Sequence, residues 1–119
     1  MREPQRDKGR LEDMIEAASN VAQFVDGLSY EEFLSDKLHY FAILKNVEII
    51  GEAAYMLSPD FKESHGEIRW SSIVKMRHIL VHGYASVLPE ILWQTAICDI
   101  PELKERLVGM LSSMKEEGD

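Results

Sequence analysis

The chain has 119 residues, one domain's worth of sequence, and with 45% hydrophobic but only 8% aromatic residues its core must be mostly aliphatic. Its 21 acidic and 13 basic residues leave a formal charge of −8, which disfavours broad contact with phosphate backbones but not a locally basic cleft. A lone cysteine, Cys98, excludes an intramolecular disulfide, and no apolar run nears the ~20 residues of a membrane span, so a cytoplasmic location is expected.

Residues 1–9 are polar and expected to fray, as are 116–119. The charged start is not followed by an apolar secretory core. From Leu11, apolar residues recur at helical spacing through Met14, Ile15, Ala18, Val21, Ala22 and Val25. Asp26-Gly27 ends that helix, because glycine tolerates the left-handed cap. Ser29-Tyr30-Glu31-Glu32 reads as a capping box opening a short helix over about 30–35. Asp36 caps the next and longest helix, from about Lys37 to Leu57, which stops at Ser58-Pro59. That helix is apolar over most of its surface, so it is expected to be central, covered by neighbours or by another subunit. Lys62 to Gly66 reads as a loop.

A fourth helix is expected from Glu67 or Trp70 to His82, closed by Gly83. A fifth runs from Leu88 to Ile97, with Pro89 in its first turn. Asp99 then serves as cap and Pro101 as an early residue of a last helix reaching about Lys115. No stretch alternates with period two, and no repeat or low-complexity linker divides the chain. The expected fold is all-α: one domain over residues 1–119, an antiparallel bundle of five to six helices.

The densest polar cluster inside an apolar helix is Lys75-Met76-Arg77-His78-Ile79-Leu80-Val81-His82-Gly83-Tyr84. His78 and His82 are four apart and share a face. Arg77 lies five before His82, about 140° round an ideal wheel, so its long side chain or unwinding at Gly83 must bring the two together. Imidazole titrates near pH ~6.5 and can take a proton from a 2′-hydroxyl or give one to a leaving oxygen. Guanidinium grips phosphate oxygens through paired hydrogen bonds and stabilises charge gained in a transition state. Together they suit metal-free cleavage of RNA by its own 2′-hydroxyl, and a symmetric dimer would offer two of each group. The same histidines at i and i+4 also suit a metal pair, for which His65, His39, Cys98 or Asp99 would have to supply further ligands, none at a telling spacing. Tyr84 is equally a packing residue after a helix cap.

Arg77, four residues, His82, one residue, Tyr84 resembles the arginine-x4-histidine-x-tyrosine signature of the HepT-like HEPN family, the toxin halves of prokaryotic toxin–antitoxin pairs. Ile49-Ile50-Gly51-Glu52-Ala53-Ala54 resembles that family's middle helix, Trp70 precedes the motif as is common there, and Leu92-Trp93 with Ile100-Pro101-Glu102-Leu103 resembles its C-terminal part. The resemblance spans about residues 10–115. It implies a HEPN-like helical homodimer with no cofactor. Arg77 and His82 would be the catalytic pair of a metal-independent endoribonuclease, working in a cleft between two subunits. Tyr84 would be the residue on which a minimal nucleotidyltransferase antitoxin places AMP, adding bulk and negative charge beside the substrate phosphate. The residue after the arginine is commonly asparagine in the family and is His78 here, which leaves the division of labour between His78 and His82 open.

Glycine inside a helix costs roughly 1 kcal/mol against alanine, so Gly51 implies close approach of another backbone, from the motif helix or a second subunit. Glu52 either pairs with Arg77 or another cation and orients it, or lies on an exposed strip with Glu48 and Lys45. Lys45, Arg69 and Lys75 are candidates for guiding RNA, but each reads first as a solvated surface charge. An alternative of a different class is a non-catalytic helical module that binds a nucleotidyltransferase or a nucleotide.

Overall fold

The computed structural model describes residues 3–83 and 87–116, and every regular element among them is helical. The elements are α1 (Glu3–Val25), α2 (Tyr30–Ser35), α3 (Lys37–Met56), α4 (Pro59–Ser64), α5 (Trp70–Gly83), α6 (Pro89–Gln94) and α7 (Ile100–Glu116). A π-helical segment, Thr95–Asp99, fuses α6 and α7 into one rod, leaving six rods in all among the described residues. No helix there is long and apolar enough to cross a membrane.

The helix boundaries follow local chemistry. Gly27 takes a φ of +73° after α1. Ser29 and Glu32 complete their capping box, the Ser29 hydroxyl accepting from the Glu32 N–H at 3.1 Å and the Glu32 carboxylate accepting from the Ser29 N–H at 2.9 Å. The Asp36 carboxylate accepts from the His39 N–H at 3.1 Å and starts α3.

Three segments depart from the sequence reading. Residues 3–9, expected to fray, form the first turns of α1. Asp7 is buried there and accepts from the Ser58 N–H at 2.8 Å and the Ser58 hydroxyl at 2.7 Å, tying the polar start of α1 to the end of α3. The expected loop over 62–66 begins in helix, because Ser58-Pro59 ends α3 and also starts α4. Ser58 Oγ accepts from the Phe61 N–H, and Pro59 occupies the first turn. The expected break at Asp99 is a widened turn in a continuous rod. Pro101 has no N–H to give, and its ring crowds the carbonyl a turn earlier. The Ile100 N–H reaches back to the Thr95 carbonyl, while Ala96 and Ile100 stay buried.

α3 is central, as its apolar surface requires, lying between α1 and α5, with α7 on α1. Leu11, Met14 and Val21 of α1, Ile43 and Ile50 of α3, and Leu107 of α7 are almost wholly buried in one core. Asn20 donates to Asn46 at 3.1 Å and Asp7 meets Ser58, so α1 and α3 run antiparallel. The core is aliphatic along its length and aromatic at one end, where the rings of Tyr30, Phe33 and Trp93 join α2 to α6.

Candidate functional site

The crossing of α3 and α5 is set by a glycine. A methyl group on Gly51 would run into Arg77 Cβ and lie 3.1 Å from Arg77 Cα, so only glycine lets α5 approach this closely. The contact fixes where the Arg77 side chain leaves its helix. Its Nε donates to Glu52 Oε2 at 2.6 Å, a charge-assisted bond. Its guanidinium carbon stands 5.2 Å from the centroid of the Tyr55 ring, within cation–π range. The Arg77 side chain keeps 22% of its surface exposed and that of Glu52 keeps 50%, so the group is open to solvent at the molecule's surface. Among the described residues the two terminal guanidinium nitrogens have no hydrogen-bond partner, which leaves four donors for a ligand.

Gly51 and Tyr55, at i and i+4, share a face of α3 with Glu52 alongside, and the three hold Arg77 by sterics, ring face and charge. The sequence reading allowed Gly51 and Glu52 these contacts, but it passed over Tyr55. The available signal was its position four after Gly51 and three after Glu52, on an outward face where a tyrosine is half exposed.

His78 and His82 form a second group on α5. Both are exposed, their ring centroids are 4.7 Å apart, and the planes are inclined at 52°. Neither imidazole has a hydrogen-bond partner among the described residues, and no hydrogen bond links either to Arg77. The structure thus brings Arg77 to Glu52, and His78 to His82, from adjacent starting positions on α5. Tyr84, the expected modification site, lies outside the described residues.

The other sequence candidates are scattered. His39 Nδ1 stands 2.7 Å from the Asp36 carboxylate at the start of α3. His65 lies against Phe61 after α4, and its carbonyl accepts from the Trp70 indole. Cys98 is exposed and accepts from the Gln94 amide at 3.1 Å. Lys45 is paired with Glu48 at 3.1 Å, while Arg69 and Lys75 are exposed on α5 and just before it.

Residues 14–109, which include both groups, match the family described as "Ribonuclease HepT-like". The chain belongs to the HepT-like family. A relative from Thermococcus cleftensis named "Probable ribonuclease HepT" is 42% identical over 97 residues, covering 82% of this chain and 88% of its own. One from Methanocaldococcus jannaschii named "Putative RNase MJ1380" is 33% identical over 100 residues, covering 84% and 92%. One from Caldanaerobacter subterraneus named "Putative RNase TTE0752" is 34% identical over 105 residues, covering 88% and 94%. No solved structure matches the chain significantly. The HepT-like match and the helical architecture agree with each other, since the matched span runs from the middle of α1 well into α7.

Proposed function

We propose that this chain is a metal-independent endoribonuclease, the toxin half of a pair with a minimal nucleotidyltransferase that restrains it by AMPylation of Tyr84. The observation that carries the reading is the preorganised Arg77. Glu52 takes its Nε, Tyr55 covers its face, and among the described residues its terminal nitrogens remain free, on the same helix that carries His82 five residues on. A guanidinium held in this way meets a phosphodiester without first losing side-chain freedom, and preorganised charge is where most catalytic stabilisation arises. The names of the relatives agree with that chemistry.

In the proposed reaction the 2′-hydroxyl oxygen attacks phosphorus as its proton passes to an imidazole. The bond to the 5′-oxygen breaks, and a protonated imidazole returns a proton to that leaving oxygen. The products are a 2′,3′-cyclic phosphate and a 5′-hydroxyl. Arg77 neutralises the charge gathering on the non-bridging oxygens. One chain offers a single Arg77, so a homodimer cleft with a guanidinium and an imidazole pair on each wall suits the step better. Support for that homodimer is the apolar surface left outside the core, with Leu38 79% exposed and Phe41 51% exposed on α3, Val81 exposed beside His82, and Leu88 and Ile91 exposed beyond it. The acidic total then keeps the outer faces soluble and confines RNA to the cleft.

The test is RNA cleavage by the purified protein in EDTA, with His82→Ala alongside and intact mass measured first to exclude a blocked tyrosine. Cleavage by the wild type and loss of about 100-fold or more in His82→Ala is expected. Inert wild type with unmodified tyrosine replaces the enzyme by a module that binds a nucleotidyltransferase or nucleotide. Equal cleavage by both moves the acid/base role away from His82.

A further inference from the structure

We propose that His78 and His82 form a chelating site for a divalent transition-metal ion, and that such an ion switches the ribonuclease off. The two residues sit at i and i+4 on α5, both exposed, with ring centroids 4.7 Å apart and planes inclined at 52°. A transition ion binds an imidazole nitrogen at about 2.0–2.1 Å, which puts it roughly 3.2 Å from the ring centroid. For ligand angles between ~90° and ~109°, the two centroids then stand about 4.5–5.2 Å apart. The observed separation falls inside that window without any change of backbone. The rings are inclined and not stacked flat, and the proposed ion is bound by one nitrogen of each.

Nothing among the described residues competes for those nitrogens. No carboxylate or carbonyl holds either ring, whereas His39 and His65 each have an acidic neighbour, Asp36 and Glu67. No group of three or more histidine, cysteine, aspartate or glutamate side chains is poised for a metal among the described residues, so water completes the coordination shell at His78 and His82. The ligand chemistry selects the ion. Imidazole prefers nickel, copper and zinc, while magnesium and calcium require oxygen donors. Protons compete for the same lone pairs, so the site weakens as pH falls.

The consequence for activity rests on His82 serving as the acid/base of the proposed reaction. An imidazole lone pair given to a metal cannot accept the 2′-hydroxyl proton, and a bound dication draws the scissile phosphate out of register with Arg77. The reaction would then run without metal and stop with the wrong one. The binding half of the inference does not depend on the reaction.

The experiment has two readouts, both in a Cys98→Ser background to remove the exposed thiol. Calorimetric titration with nickel chloride is expected to show saturable binding that weakens at least about tenfold in His78→Gln and is unchanged in His39→Gln. Absent binding, or equal binding in His78→Gln with helicity intact by circular dichroism, overturns the site. Cleavage of RNA is then followed across the same nickel range. Loss of cleavage as the site fills, with recovery on excess EDTA and no effect of magnesium, supports the switch. Undiminished cleavage at saturation overturns it. A protein that never cuts in EDTA refutes the ribonuclease reading and the switch together, while the titration alone still decides the metal site.

Discussion

α3 carries two unlike seams. Toward α1 it is long and apolar, pinned by the Asn20–Asn46 bond at its middle and the Asp7–Ser58 pair just past its end, with Leu11, Met14, Ile43 and Ile50 almost wholly buried along it. Toward α5 the seam narrows at Gly51 and then turns outward into Glu52, Tyr55 and Arg77, which remain in contact with solvent. The first seam removes apolar area from water and supplies stability. The second holds a charged side chain in one orientation and forms the candidate site. A single helix separates the two tasks by which face carries the residue, so substitutions on the two faces should fail in different assays.

The largest stability effect is expected on the α1 side. Leu11→Ala empties a fully buried position and should cost about 2–5 kcal/mol in urea unfolding. Cleavage per folded molecule should stay within about twofold, because α1 packs mainly on α3 and α7 and not on α5, which carries Arg77 and the histidines. A loss of specific activity matching that of His82→Ala would mean that the two seams are not separate.

A smaller but more telling effect belongs to Gly51. Replacing glycine by alanine inside a helix normally gains roughly 1 kcal/mol. At Gly51 the new methyl meets Arg77 Cβ and backbone, which cannot swing aside, so overpacking of about 1–3 kcal/mol outweighs the gain. α3 and α5 must part, Arg77 loses its register with Glu52, and cleavage should fall by more than the stability change explains. Gly109→Ala is the matched control: nothing lies within 4 Å of its added methyl on α7, so it should stabilise the protein and leave cleavage alone. Equal outcomes at the two glycines would remove the steric basis of the site.

Much of this division is legible in the sequence, and the reasons are physical. The starts of α2 and α3 are local events, written by Ser29, Glu32 and Asp36 within four residues of the groups they cap. The glycine in an apolar helix signals a close approach, and the structure supplies Arg77 as its partner. What sequence reading misses depends on distant contacts. Residues 3–9 look too polar to order until Ser58, 51 positions away, is seen donating to Asp7. Ser58-Pro59 ends one helix and begins another, and only the second role needs Phe61 to be folded back. Asp99 and Pro101 carry start signals that burial of Ala96 and Ile100 overrides, turning a break into a π turn. Tyr55 is passed over because its partner, the Arg77 guanidinium, comes from another helix.

The smallest expected effect sharpens the comparison from outside both seams. Asp36, at the start of α3, has its carboxyl held below the usual carboxylate range, chiefly by the His39 backbone N–H it accepts, with charge interaction with the His39 side chain adding to this. Glu32 is lowered in the same sense, mainly by the Ser29 backbone N–H. A folded-state value below the unfolded one contributes stability that is present above the ordinary range and is lost as pH falls through the folded value. Asparagine keeps the cap's acceptor and removes its titration. Asp36→Asn should therefore lie slightly below wild type in thermal midpoint at neutral pH and converge with it as pH drops below about 4. Activity at neutral pH should be unchanged, since Asp36 caps the end of α3 remote from Gly51, Glu52 and Tyr55. Melting curves that stay parallel from pH 7 to pH 2 would show that the acceptor alone, and not its charge, starts the helix on which both seams are built.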